Sequence, residues 1–294
     1  MPELPEVETI SRDLDKKVKG LMIRDFWTDL PARNIPHPPA LQEFKKEIIS
    51  RKILRVYRKG KNILFDLSGD KILLVHQKLT GHLLYGKWKI KKIGGKYQVS
   101  SLITGPLQEK VNNYIHLIFY LSNGWQIALS DLRKFAKIIA GEKKEIENLP
   151  EIKNLGPNPL KVPFDEFSEI LKKKKGNIKT VLMDQEIFAG IGNIYSDEIL
   201  WQAKINPFKS SSKLAKSELK SLYSATSNIL KKAIKLKGTS ISDYRDPSGQ
   251  SGGYAKVRKV YQKEDKPCQR CQTPIKRVKI GSRSAHFCPV CQRL

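Results

Sequence analysis

The sequence predicts an α+β chain of more than one domain, and three observations carry that expectation. Apolar and polar residues alternate through much of the first half, helical periodicity dominates the second, and all four cysteines stand within the last 27 of 294 residues. A hydrophobic content of 39% at this length can fill roughly two cores. Lys and Arg number 55 against 29 Asp and Glu, a formal charge of +26. An excess of that size costs the compact state some self-repulsion, so it reads either as a surface that meets a polyanion, nucleic acid first, or as plain lysine decoration. There is no run of 18 apolar residues, and the chain opens on Met1-Pro2-Glu3 rather than on basic and apolar stretches. A membrane span and a secretory leader are therefore not expected, and the reading is of a soluble, cytoplasmic chain.

In order along the chain, Val7, Ile10, Leu14 and Val18 recur at three and four residues, which predicts a helix over Glu3 to Val18. A proline-rich loop covers Pro31 to Pro39, and Leu41 to Ile49 reads as a second helix. Alternation from Ile53 to Leu84, with a Ser68-Gly69-Asp70 turn, predicts consecutive antiparallel strands. Further strand is expected at Tyr97 to Leu102, Tyr114 to Leu121 and Gln126 to Leu129, the last two joined through Ser122-Asn123-Gly124. Three prolines and a glycine within Leu155 to Pro163 mark a boundary. Beyond it, Phe164 to Leu171, Ile178 to Phe188, Ser196 to Lys204 and Leu214 to Leu236 carry helical periodicity. Asp246 to Gly253 reads as a loop too glycine-rich and polar to pack, flexible enough to close over a ligand. The expected division is 1–150, a linker at 151–163, a helical domain at 164–262 that includes this loop, and a cysteine module at 263–294.

Cys268-x2-Cys271 and Cys288-x2-Cys291, sixteen residues apart, have the spacing of four thiolates closing on one structural zinc ion. Cationic residues surround them, and no acid follows Asp265. In Phe188-Ala-Gly-Ile-Gly-Asn-Ile-Tyr195 two glycines precede a helix start, a pattern that serves equally as a phosphate-binding helix N-terminus or a glycine-capped corner. At the N-terminus, loss of Met1 would expose the secondary amine of Pro2, a nucleophile able to form an iminium, with Glu3 beside it to move protons. Taken alone, the same residues are an ordinary helix entry.

The ordered set of Met1-Pro-Glu-Leu-Pro-Glu-Val-Glu-Thr9, Gly190-Ile-Gly-Asn-Ile-Tyr195 and the terminal cysteine pairs closely resembles the bacterial formamidopyrimidine-DNA glycosylase family, through essentially the whole chain. That resemblance implies an N-terminal β-sandwich with flanking helices, a helix-two-turns-helix domain and a zinc β-hairpin finger. It implies a monomeric base-excision repair enzyme that removes oxidised purines, such as 8-oxoguanine and formamidopyrimidines, from damaged double-stranded DNA and then nicks the strand. In this sequence the catalytic positions correspond to Pro2, Glu3, Lys61 and Arg283. The DNA contacts correspond to His76, Leu79, Tyr114, Arg133, Phe135, Lys174, Lys179 and Asn193. Leu79, Arg133 and Phe135 match the side chains that fill the hole left by the extruded base.

Departures are Leu79 for a usual Met, Asp131-Leu-Arg-Lys-Phe135 for a usual Asp-Pro-Arg-Arg-Phe, and Tyr114 for a frequent His. Loss of the proline puts the rigidity of that loop in question, and Lys134 cannot offer the two-pronged contact of Arg. Two other readings stand beside this one. The first is an endonuclease VIII-like glycosylase of oxidised pyrimidines, against which Leu4 and Val7 argue. The second is a non-catalytic zinc-ribbon DNA-binding protein.

Overall fold

The computed structural model describes residues 1–38, 40–241 and 243–294. Its contacts divide the chain into two units. Met1–Lys153 with Leu236–Gly253 form the first, and Asn154–Lys235 with Tyr254–Leu294 form the second.

The first unit begins with helix α1 (Leu4–Val18), whose buried stripe is the one read from the sequence. Strand β1 (Ile23–Thr28), helix α2 (Leu41–Ile48) and strands β2 (Ile53–Lys59), β3 (Asn62–Leu67), β4 (Lys71–His76) and β5 (His82–Gly86) follow. Next come β6 (Trp88–Ile93), β7 (Lys96–Ser101), β8 (Ile115–Leu121), β9 (Gln126–Ser130) and β10 (Lys137–Glu142), then the short helices α3 (Lys143–Asn148) and α4 (Pro150–Lys153). Two four-stranded antiparallel sheets result, in the orders β1-β8-β9-β5 and β10-β4-β3-β2. Phe65, Leu73, Val75, Leu83, Phe119 and Leu129 fill the core, and α1 adds Val7, Ile10 and Leu14 to it. The β6-β7 hairpin forms a sheet of its own. Its Trp88, Ile90 and Val99 pack with Leu84, Ile118 and Ala128 in a second cluster.

Three of these strands escape the alternation rule. In β1 the register slips between Ile23 and Asp25, a bulge that breaks the period of two. β10 is buried along most of its length, so no polar residue marks an outer face. β6 is exposed beyond Ile90 and carries lysines on both faces.

The second unit holds α5 (Phe164–Lys173), α6 (Ile178–Met183), α7 (Asn193–Ala203) and α8 (Lys216–Lys235), then the hairpin β11 (Lys276–Ile280) and β12 (Arg283–Phe287). The helix expected to run to Phe188 stops at Met183. Asp184 leaves helical geometry and its carboxylate takes the backbone N–H of Glu186 at 3.0 Å, an Asx turn that competes with further helix.

The reading of Asp246 to Gly253 as too polar to pack needs correction, for this segment packs within the first unit. Asp246 is fully buried, and its carboxylate accepts the N–H groups of Ser248 (2.9 Å) and Gln250 (3.0 Å) and the Lys237 ammonium (2.8 Å). Asn112 donates to the Gly249 carbonyl at 3.2 Å. A side chain at Gly252 would sit 2.3 Å from the Gly238 carbonyl oxygen, so glycine here permits close backbone approach. Polarity does not prevent packing when each buried polar group finds a partner.

Candidate nucleic-acid interface

Pro2 and Glu3 are buried immediately ahead of α1. Glu3 is the N-cap of a capping box in which its own N–H donates to Glu6 Oε2 at 2.8 Å. The other oxygen of Glu6 accepts the Thr239 N–H at 2.7 Å. One buried carboxylate therefore fixes both the start of α1 and the segment that follows α8. Sequence reading passed over Glu6, although the Glu3-x-x-Glu6 spacing is itself the signal of such a box.

Lys61 lies in the two-residue turn between β2 and β3, where Gly60 takes φ +58°. Arg58 donates to the Gly60 carbonyl at 3.4 Å and is itself held by Glu8 of α1 at 2.5 Å. Burial would raise the Glu8 carboxyl, but Arg58 and Arg12 outweigh it and hold the group below its ordinary range. The ion pair joins the helix that follows Pro2 to the turn that carries Lys61.

His76 ends β4 and stands in register with Asn62 on one side and Lys137 on the other. Its Nδ1 accepts the Lys78 N–H at 3.0 Å, which leaves the ring proton on Nε2. Burial, then the charges of Lys78, Lys61 and Lys137, push its pKa down to about 3. A neutral imidazole with its proton on Nε2, among lysines, can donate to an anion. Lys61 and His76 are thus brought into one electrostatic neighbourhood.

Leu79, Arg133 and Phe135 also come together. Leu79 and Phe135 are exposed and border a cleft of about 390 Å³ with Arg33, Asn34, Lys78 and Lys134. The Arg133 guanidinium lies 4.5 Å from the Phe135 ring centroid. Exposed apolar side chains next to cations suit a wedge that enters a base stack while its flanks meet phosphates.

The loop beneath them is held without a proline. Asp131 is fully buried and accepts the N–H groups of Phe135 (2.7 Å), Ala136 (2.8 Å) and Arg133 (3.3 Å), together with the Thr80 hydroxyl. Asn34 donates to the carbonyls of Lys134 (2.9 Å) and Ala136 (2.6 Å). Lys134 takes φ +50° and its ammonium pairs with Asp29 at 3.2 Å. Asp29 also meets His116 Nδ1 at 2.8 Å. Lys134 is thereby tied inward, and the Leu132 and Lys134 departures leave a braced loop. Tyr114 is half-buried, and its carbonyl accepts the Asp131 N–H at 2.8 Å. Asp131 and Asn34 were missed as loop anchors; an Asp at the head of a tight turn is the one local clue.

In the second unit, Lys174 is exposed at the end of α5 and Asn193 opens α7 behind Gly192. Asn193 Oδ1 is buried and has no partner among the described residues. Lys179, expected at a phosphate, is instead fully buried with its ammonium 2.5 Å from Asp197 Oδ1. Asp197 Oδ2 accepts the His286 N–H at 3.0 Å and meets its Nδ1 at 2.9 Å. Lys179 is therefore an internal tie among α6, α7 and β12, because a cation so far from water requires a fixed counter-charge. Arg283 is exposed at the first position of β12, beyond the turn at Gly281 and Ser282.

The sulfur atoms of Cys268, Cys271, Cys288 and Cys291 lie within 4.8 Å of one another, with pairs at 3.4 and 4.0 Å. A tetrahedron of Zn–S bonds of ~2.3 Å has edges of ~3.8 Å, so the four donors fit one closed structural zinc site. The Trp201 indole N–H points at Cys268 Sγ (3.5 Å) and Arg270 stacks on the same ring at 3.7 Å. These contacts seat the finger on α7. Among the described residues no helix is long and apolar enough to cross a membrane.

Residues 1–138 match the formamidopyrimidine-DNA glycosylase N-terminal domain, 155–245 the H2TH domain of the same glycosylases, and 265–294 a zinc finger found in FPG and IleRS. The formamidopyrimidine-DNA glycosylase of Pelotomaculum thermopropionicum is 39% identical over the full length of both chains, and that of Desulforamulus reducens 36% over 100% of this chain and 99% of its own. Among solved structures, Lactococcus lactis Fpg in complex with DNA containing an abasic site superposes with a TM-score of 0.83 at 32% identity, covering 99% of this chain and 100% of that one. The MutM (FPG) protein of Thermus thermophilus gives 0.81 at 32%, covering 99% and 98%.

Proposed function

The chain belongs to the formamidopyrimidine-DNA glycosylase family, and from that premise we propose that it excises oxidised purines from duplex DNA and cleaves the strand at the resulting abasic site. The observation that carries this reading is the pinned N-terminus. Pro2 stands directly before an N-cap fixed by Glu6, on a helix tied through Glu8 and Arg58 to the turn of Lys61. Met1 is exposed, within reach of an aminopeptidase, and its removal turns an acylated nitrogen into a nucleophile.

The Pro2 nitrogen attacks C1′ of the extruded nucleotide, the N–C1′ bond forms, and the glycosidic bond breaks with its electron pair leaving on the base. Glu3 carries the protons of base departure and sugar-ring opening, leaving an iminium. Loss of a C2′ proton then expels the 3′ phosphate, with Lys61 assisting. His76 and Asn193 donate to backbone phosphates, Lys174 and Arg283 hold others, and Tyr114 is a further contact to the duplex. Leu79, Arg133 and Phe135 fill the vacated stack, and the arginine addresses the widowed base. The bacterial relatives support a place on the chromosome in the cytoplasm. Within the finger, Cys268, Cys271, Cys288 and Cys291 hold the zinc that keeps Arg283 on a rigid hairpin.

Borohydride trapping on an 8-oxoguanine:cytosine duplex tests the reading. Protein freed of Met1 should give a covalent adduct that Pro2→Gly strongly reduces. Absence of both adduct and base release from correctly processed protein rejects it. A preference for thymine-glycol duplexes selects the pyrimidine branch instead.

A further inference from the structure

The β6-β7 hairpin carries a charge pattern that the excision chemistry does not use. Between Asp70 and Glu109 the chain has no acidic residue, and Lys87, Lys89, Lys91, Lys92 and Lys96 all fall in or beside this hairpin. All five are exposed, and none forms an ion pair among the described residues. Residues 91–98 are exposed on both faces, so the distal half of the ribbon is open to solvent while its proximal half covers the core. Gly94 and Gly95 both take positive φ (+56° and +78°), the geometry of a tight two-residue turn whose twist matches the strands. The arm is thus ordered, with six-residue strands of about 20 Å. Nearer the turn, the Tyr97 ring lies 5.3 Å from that of Trp27 on β1. Tyr97, Gln98 and Ser100 share a groove of about 450 Å³ with Tyr114 and His116.

We propose that this hairpin is an accessory arm that binds the phosphate backbone of duplex DNA beyond the lesion, through Lys91, Lys92 and Lys96. Charge complementarity chooses the occupant: five ammonium groups without a carboxylate partner among the described residues, on an ordered ribbon without an acid, match a continuous polyanion. The groove shared with Tyr114 places the arm alongside a position assigned above to DNA. The inference rests on that assignment for its location and needs no catalysis. A lysine paired to phosphate releases a counterion, so each contact adds about 0.9 to the slope of log affinity against log salt.

The test compares the full-length, zinc-loaded protein with Lys91→Ser/Lys92→Ser/Lys96→Ser and with a control that removes the same charge elsewhere, Lys19→Ser/Lys46→Ser/Lys144→Ser. Binding is measured against salt on a long and a short lesion duplex, about 30 and 12 base pairs. Three lost contacts lower the slope by about 2.7, so the affinity ratio between wild type and arm variant changes about 40-fold between 50 and 200 mM salt. The effect is expected on the long duplex only, with unchanged single-turnover excision at saturating protein. An unchanged slope, or an equal fall in the control, overturns the proposal. Lost binding to anionic lipid vesicles with duplex binding intact overturns it in favour of a membrane surface. Because slope and excision are read separately, failure of the glycosylase reading shows as absent base release in the wild type, whatever the arm does.

Discussion

Replacing Asp131 tests whether a buried carboxylate, rather than a proline, holds the wedge loop. Asp131→Ala removes the acceptor of three backbone N–H groups and one hydroxyl. The Arg133 N–H also has the Thr80 hydroxyl at 3.2 Å, so its loss is partly covered. Those of Phe135 and Ala136 have no other partner in the loop. A buried donor left unmet costs about 1–3 kcal/mol, and water reaching the exposed Phe135 end lowers the first of the two, so about 3 kcal/mol is expected. Asp131→Asn keeps one acceptor oxygen but turns an amide toward a donor, for about 1–2 kcal/mol. Urea denaturation of zinc-loaded protein reads this as a lower midpoint at unchanged slope for the transition of the first unit. Affinity for a lesion duplex should fall at the same time, because Arg133 and Phe135 lose their fixed spacing. A change below about 0.5 kcal/mol with unaltered affinity would refute the bracing argument, since that is the size of an ordinary surface substitution.

The remaining predictions concern protonation, the internal tie and the metal. Folded His76 takes a proton only near pH 3, whereas its ordinary value is 6.5. Between the two the unfolded chain binds the extra proton, so this residue's contribution to stability rises with pH and is lost as pH falls from about 6.5 toward 3. A nitrogen-detected NMR titration should show His76 as the neutral Nε2–H form down to pH 5, and titration near 6.5 would contradict this. Lys179→Met leaves Asp197 buried against His286 alone and should cost about 3 kcal/mol, with an unchanged salt dependence of DNA binding. A salt slope lower by about 0.9 would return Lys179 to the phosphate backbone. Chelation of zinc should unfold the finger and alter the fluorescence of Trp201, which touches Cys268 and Arg270. Unaltered emission from fully metal-free protein would argue against the seating of the finger on α7.

Much of this architecture was legible because its signals are local. The stripe Val7, Ile10, Leu14 and Val18 needs one helix turn after another, and the cysteine spacing encodes two knuckles without reference to the rest of the chain. The anchors were not legible, because each joins residues far apart in sequence. Asp131 meets Thr80 across 51 positions, Asn34 reaches Ala136 across 102, and Glu6 accepts from Thr239 across 233. No periodicity encodes such a pairing. The same limit explains Lys179, which reads as a solvated cation until Asp197 and His286 are folded against it. It explains the Asp246 segment too, where composition suggested a loop too polar to pack and a long-range hydrogen bond from Asn112 helps to supply packing.

The distribution of acids gives the charge excess a structural meaning. Glu3, Glu6, Asp131, Asp197, Glu198 and Asp246 are all buried, while Lys61 and Lys179 are the buried lysines among the described residues. Glu198, for example, gathers the N–H groups of Lys259, Val260 and Tyr261 within 3.0 Å, although burial raises its pKa above the usual carboxylate range. Acids are thus drawn inside as acceptors for backbone turns, and they no longer screen the cations outside. The surface meets a duplex with a larger positive excess than +26 implies, and at the wedge loop the brace of Asp131 presents Arg133 to it. A carboxylate brace and a basic face are therefore one arrangement. The anion that fixes the wedge loop from beneath is one that would otherwise repel the phosphate above it.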